Sequence, residues 1–469
     1  MIFTSLDFAI FLPTVFFLYW IVFRNSTRNQ NFLIIISSYI FYGWWDWRFL
    51  ALIIFSSIVD YSVGLGLSKT DIKRSRKILL TTSVIVNLGL LGFFKYFNFF
   101  LDNVTWAFSL FGHQINPSGL SIILPVGISF YTFQTLSYSI DIYRGKMQPT
   151  KDIISFFAFV SFFPQLVAGP IERASNLLPQ FLNRRLVNYQ AISEGVKQIL
   201  WGIFMKVVVA DRAAIYVNAV YNNVDKHDGL SFMAATLQFS FQIYGDFAGY
   251  SLMAIGIAKL FGFELMTNFK RPYLSGSVSE FWSRWHISLS TWFRDYLYIP
   301  LGGNRVSIFR WGYIIMITFI VSGLWHGANW TFIAWGALNG IYLIMEKIIF
   351  KKRVRKLVSI ISTFILINIS WILFRANSIQ EAFHIMGEIA TNPGTLFIGS
   401  GPDVTTPIYT ILAITILLIV DLKREFFNSV ITISHNKSEF VNLFTMSILI
   451  YIILYLGVFG ESQFIYFQF

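Results

Sequence analysis

Apolar runs close to twenty residues long recur from one end of this chain to the other, and they set the class of fold before any motif does. Phe8–Phe23, Phe49–Leu67, Ile78–Phe100 and Leu357–Phe374 are examples. A helix needs about 20 apolar residues to cross a hydrocarbon core of about 30 Å. In lipid every backbone N–H and C=O must be bonded within the protein, which leaves only helices or a closed barrel. Barrel strands alternate polar and apolar side chains, whereas Ile411–Val420 is apolar in both registers, so the runs read as helices. Charge agrees: 55% of residues are hydrophobic and only 13% charged, against roughly a quarter in soluble domains. The expectation is an all-α polytopic membrane protein with about twelve spans, supplemented by re-entrant and interfacial helices.

The formal charge of +12 suggests nucleic acid until its distribution is examined. Lys and Arg gather in Lys69–Lys77, Arg144–Lys151, Lys259–Arg271 and Lys347–Lys356, while Leu101–Gly119 and Ala376–Thr405 have none. That alternation places the basic loops in the cytoplasm and argues against a nucleic-acid partner. Threading between these anchors puts both termini outside. Met1–Asp7 carries no Lys or Arg and no small-residue cleavage site follows Phe8–Phe23, so that segment reads as a retained helix. Asp152–Ala168, bounded by Pro164 and Pro170, reads as re-entrant. The chain is expected to form one integral-membrane domain over 1–469, with N-terminal helices 8–168, a core 169–346 and C-terminal helices 347–469. Arg375–Thr405 is a candidate external cap. With no cysteine there is no disulfide, thiolate nucleophile or palmitoylation site.

Three polar features interrupt the apolar pattern. The first is His326, in Ser322-Gly323-Leu324-Trp325-His326-Gly327-Ala328-Asn329-Trp330, at the bend between two apolar stretches. An ionisable ring there is costly and marks a functional candidate; histidine also exchanges protons near neutral pH. The plainer reading is a histidine bonded to a helix end. Gly323 with Gly327, and Gly336 with Gly340, have the spacing of close helix approach. The second feature opens at Ser277-Val278-Ser279-Glu280, a capping-box spacing. Phe281–Ile299 then reads as one amphipathic helix with Trp282, Trp285, Leu289, Trp292 and Tyr296 on one face. Ser279, Ser283, His286 and Ser290 form a polar stripe on another. Either the tryptophans anchor this helix at the interface with His286 solvated, or the stripe lines a polar path. The third feature is Gln242, Tyr244 and Asp246 in an apolar span. A buried carboxylate must be paired or protonated, and an arginine bridge is expected for Asp246, with similar structural roles for Glu172 and Arg173. Trp325 and Asn329, beside His326, complete the expected buried support.

Several chemistries are excluded. There is no Walker A loop, HExxH pair or G-x-S-x-G elbow. No His is followed five residues later by Asp, and six scattered His without Cys give no metal-ligand spacing.

EFWSRWHISLSTWFRDYLYIPLGGNR followed by SGLWHGANWTFIAWGALNG resembles the paired signature of the membrane-bound O-acyltransferase (MBOAT) family. LPVGISFYTFQTLSYSIDIYRG, FFPQLVAGPIER, QIYGDFAGYSLMAIGIAKLFGF and the terminal FIYFQF resemble its bacterial branch, which serves alginate, peptidoglycan and teichoic acid modification. Ala248 stands where that branch commonly has Ser. The resemblance implies a ring of tilted helices around a thin centre, with His326 as the catalytic histidine and His286 as the second characteristic polar position. It implies no bound cofactor. Acetyl-CoA is the donor from the cytoplasm, an exported polysaccharide is the acceptor, and a secreted SGNH-type acetyltransferase subunit is a partner. The location it implies is the bacterial inner membrane. Charge and placement suggest Arg284, Arg294 and Arg305 for the CoA phosphates, beside Ser283 and Ser290. The competing class is a non-catalytic polysaccharide or lipid exporter whose polar path carries the glycan itself.

Overall fold

A computed structural model describes residues 1–113, 120, 122–167, 169–349, 355–399, 405–426, 439–460 and 464–465. The centre of the basic loop Lys347–Lys356, part of Arg375–Thr405 and most of the terminal FIYFQF lie outside the described residues. Every regular element among the described residues is helical, and the protein is an all-α polytopic membrane protein. Four stretches are by themselves long and apolar enough to cross a bilayer: Thr27–Ser68, Lys73–Leu110, Ile308–His326 and Lys356–Arg375. The chain divides into two compact units, with boundaries inside the helices Tyr189–Ile203 and Gly229–Leu260 and after Met266.

The first unit comprises residues 1–196 and 254–266. Its apolar helices are tied by hydrogen bonds from small polar side chains, the usual glue where lipid offers no water. Asp60, fully buried on the helix Leu50–Ser68, accepts from Ser83, from Asn87 Nδ2 at 2.7 Å and from Ser139 Oγ at 2.7 Å. Asn87 Oδ1 in turn accepts from Ser56 Oγ at 2.8 Å. The 152–167 segment is two short helices, Ile153–Ser161 and Phe163–Leu166, broken at Phe162. Nine residues rise only about 14 Å, too little to span. The Phe163 N–H freed at the break donates to Ser38 Oγ at 3.1 Å. Glu172 is buried and accepts from Asn176 Nδ2 at 2.8 Å and from the Met266 N–H.

The second unit comprises residues 197–253 and 267–469. It contains the hairpin of Ile308–His326 and Trp330–Ile348. The glycine spacing read from sequence is used here: a Cβ at Gly323 would collide with the Phe332 carbonyl, and one at Gly336 with the Phe319 carbonyl. Only glycine permits that approach, and it brings the aromatic side chains of one helix onto the other. The external-cap segment holds an amphipathic helix, Ile379–Thr391, capped by Ser378. Beyond it the chain lies on the start of the helix Gly229–Leu260. Gly229 N donates to Asn392 O at 2.9 Å, and Phe397 N to Ser231 Oγ at 2.8 Å.

Candidate active site

The expected single helix Phe281–Ile299 is broken in the structure. Its start is as read: Ser277 Oγ accepts from Glu280 N at 3.1 Å, and Glu280 Oε2 returns to Gly276 N at 2.7 Å. The helix then runs only over Val278–Arg284, and a second covers Ile287–Phe293 before a π-helical turn at Arg294–Tyr298. Between them Trp285 is extended and His286 takes a left-handed backbone, φ 43°, a conformation non-glycine residues rarely hold without outside support. The support comes from residues 268–270. Lys270 N donates to Arg284 O at 2.9 Å and Ile287 N to Asn268 O at 2.9 Å. These tertiary bonds replace intrahelical ones, which periodicity alone does not reveal.

The break corrects the polar stripe. Ser279, Ser283 and Ser290 do share a wall, lining a cavity of about 340 Å³ with Trp282, Arg294, Thr318, Phe319 and Ser322. His286 is not on that wall. It points into the protein, 1% exposed, so it is not solvated. The tryptophans are not lipid anchors either: Trp285 and Trp292 are buried within the unit. His286 Nδ1 lies 3.3 Å from Asn268 Oδ1, and its ring meets Phe247 edge-on at 4.5 Å. It lies in a segment that does not span, and burial pushes its pKa down to about 3. The imidazole is therefore neutral at physiological pH.

His326 ends the helix Ile308–His326 and is 3% exposed. Its ring is boxed by Trp325 at 5.0 Å, Trp335 at 5.0 Å and Phe374 at 5.4 Å. Trp325 also meets His286, at 5.8 Å, so one indole stands between the two imidazoles. Ser322, on the cavity wall, precedes His326 by one helical turn and shares its face. The cavity therefore stops one turn short of the buried histidine. The wall residue Trp282 contacts Trp335 at 5.5 Å, and Trp335 contacts His326. A buried imidazole in an aromatic box, one helical turn from a cavity, suits proton abstraction from a hydroxyl.

The other expected residues separate into roles. Arg294 lines the cavity and touches Asp295 at 2.8 Å. Arg284 does not line it; it is held by Glu280 at 2.5 Å and Glu425 at 3.0 Å. Arg305 is exposed in the turn after Gly303, off the cavity. Asn329 caps the helix Trp330–Ile348, accepting from Thr331 N at 3.0 Å. Tyr244 donates to Asp421 Oδ2 at 3.1 Å, and Gln242 is buried beside it on the same helix. Asp246 is bridged as expected, but by Lys206 at 2.6 Å and not by an arginine; Lys206 also meets Asp211 at 2.8 Å. Lys206 lies in the π-helical segment Phe204–Ala210, all of which is buried. Asn268, Ser288, Trp335 and Phe374 complete the two histidine environments; Ser288 and Trp335 lie within the quoted motifs, Asn268 and Phe374 outside them. Among the described residues no group of three His, Asp or Glu side chains is placed to hold a metal ion.

Residues 149–378 match the model of the MBOAT, membrane-bound O-acyltransferase, family, a span that holds both histidines. The chain is 41% identical over 391 residues to the probable alginate O-acetylase AlgI of Pseudomonas aeruginosa, covering 82% of this chain and 74% of that protein. It is 37% identical over 421 residues to the peptidoglycan O-acetyltransferase of Helicobacter pylori, covering 82% and 78%. The teichoic acid D-alanyltransferase of Streptococcus thermophilus is 30% identical over 248 residues, covering 50% and 59%. The chain belongs to the membrane-bound O-acyltransferase family, and it is an acyltransferase.

Proposed function

We propose that this enzyme transfers acetyl groups from cytoplasmic acetyl-CoA across the inner membrane to an exported polysaccharide, directly or through a secreted SGNH-type subunit. The observation that carries this reading is the cavity that ends one helical turn before His326. A thioester arm lying along Ser283, Ser290 and Ser322 would bring its carbonyl toward the histidine while the charged nucleotide stays outside. The names of the two relatives covered over more than two thirds of their length support acetyl as the group moved. The D-alanyl relative is covered over a smaller share.

In the chemistry proposed, His326 accepts the proton of the acceptor hydroxyl. The hydroxyl oxygen forms the new C–O bond at the thioester carbonyl, the C–S bond breaks, and the CoA thiolate leaves and takes a proton. General-base help of this kind is typically worth about 10²–10⁴-fold. Only the acetyl group crosses, so the anionic donor never enters lipid. Alginate-like chains and peptidoglycan are the acceptor classes the relatives suggest.

The test is turnover of acetyl-labelled acetyl-CoA by protein reconstituted in nanodiscs, with polysaccharide and secreted subunit supplied. Release of CoA matched by label on the glycan supports transfer. Glycan movement through the protein with no thioester cleavage would establish the exporter instead.

A further inference from the structure

Asn268 touches His286 in a way that decides which imidazole nitrogen carries the proton. The backbone N–H of Ser288 is a donor and nothing else, and it lies 3.2 Å from Asn268 Oδ1. The atom receiving it must be the amide oxygen, because a flipped amide would set NH₂ against N–H. On its other side Asn268 Nδ2 donates to Ser251 Oγ at 3.0 Å, which fits the same orientation. The oxygen so fixed faces His286 Nδ1 at 3.3 Å. A lone pair on Nδ1 would oppose it, whereas an N–H would bond to it. The Ser288 hydroxyl is already donating to that oxygen at 2.9 Å and stands 3.4 Å from Nδ1. Asn268, Ser251, Ser288 and His286 are all buried.

We propose that Asn268 is a positioning residue that fixes His286 as the neutral tautomer with its proton on Nδ1 and its lone pair on Nε2. The significance for catalysis rests on the acyl-transfer reading; the tautomer itself does not. A ring so fixed presents Nε2 as an acceptor on the far side from Asn268. A second proton would make Nε2 a donor and abolish that role. Groups facing His286 include Phe247 on the helix Gly229–Leu260, Asn268 and Phe269, Ser288, and Trp325. None of these carries a charge, and burial holds the ring neutral. Asn268 also supports the left-handed turn through its backbone carbonyl, a job any residue's carbonyl performs, so the side chain's effect on the ring is separable.

Two measurements test this. The first labels the histidines with ¹⁵N in nanodiscs, assigns His286 by its loss in His286→Gln, and reads ring protonation from two-bond ¹H–¹⁵N correlations. Protonated Nδ1 with bare Nε2 is expected in the parental protein; protonated Nε2 overturns the proposal whatever the enzyme does. The second is Asn268→Asp, which keeps an acceptor at the same place and adds a negative charge. A carboxylate against the ring favours imidazolium, so the acid limb of acetyl-CoA turnover moves to higher pH, by about one unit or more. A variant of parental abundance with the parental pH profile also overturns the proposal. If the parental protein turns over no acetyl-CoA, the acyl-transfer reading fails while the first measurement still decides the tautomer.

Discussion

Trp282 and Trp335 meet edge to face, with centroids 5.5 Å apart. Trp282 belongs to the cavity wall and Trp335 to the box around His326, so this contact lies between the cavity and the buried histidine. Excluding water from a thioester and its base suppresses hydrolysis that competes with transfer. Trp282→Ala is therefore expected to uncouple the two. The ratio of acetyl transferred to CoA released should fall several-fold, with membrane abundance near parental. An unchanged ratio means the indole is packing alone.

His326→Ala should abolish acyl transfer and leave an inserted, folded protein. Loss of a general base predicts a fall of about 10²–10⁴-fold. His286→Ala should also impair activity, through loss of the group that Trp325 separates from His326. The measurement is glycan acetyl content with protein abundance as control. Near-normal acetylation in His326→Ala at normal abundance removes His326 from the mechanism.

What the sequence disclosed and what it concealed divide along a physical line. His326 was legible because a titratable ring between apolar runs is costly wherever it ends up. The Ser277–Glu280 cap and the Gly323 and Gly336 contacts were legible because they depend on residues a few positions apart. The break at His286 was not. It is imposed by bonds from residues 268–270, and nothing in the 3.6-residue period of Phe281–Ile299 records them. The partner of Asp246 was concealed for the same reason: Lys206 precedes it by forty residues, and only the tertiary fold brings them together. Phe374 reads as an ordinary apolar helix residue until packing sets it beside an imidazole.

The arginines separate into one donor-side candidate and one structural residue. Arg294 lines the cavity, whereas Arg284 is shared between Glu280 and Glu425. Arg294→Gln is expected to raise the apparent KM for acetyl-CoA with kcat closer to parental, the pattern of lost uniform binding. Lys should rescue it in part, lacking the planar fork that grips phosphate. Arg284→Gln should instead lower abundance or thermal stability. Equal KM effects from both variants would return Arg284 to the donor site.

The Lys206 triad makes a stability prediction. Lys206, Asp211 and Asp246 side chains are each no more than 6% exposed. Removing the lysine leaves two carboxylates facing each other in the interior, and breaking a buried pair costs about 3–5 kcal/mol. Lys206→Met should sharply reduce folded protein, measured by fluorescence-detected size exclusion after heating. Adding Asp246→Asn and Asp211→Asn should recover part of the loss, since no charge is then stranded. A fully stable Lys206→Met protein would show that the triad contributes little.

Orientation follows from charge and is checked chemically. The chain has no cysteine, so single cysteines report without background. Gly387 is exposed on the helix Ile379–Thr391 with open space around it, a better probe than Ser378, which caps that helix. Asp71, exposed among basic residues, is its counterpart. The charge pattern predicts that the basic loops face the cytoplasm. Gly387→Cys should therefore react with an impermeant maleimide in cells whose outer barrier is opened, and Asp71→Cys only after the inner membrane is lysed. The reverse pattern would invert the protein and place the cavity's Arg294 side away from the cytoplasmic pool of acetyl-CoA.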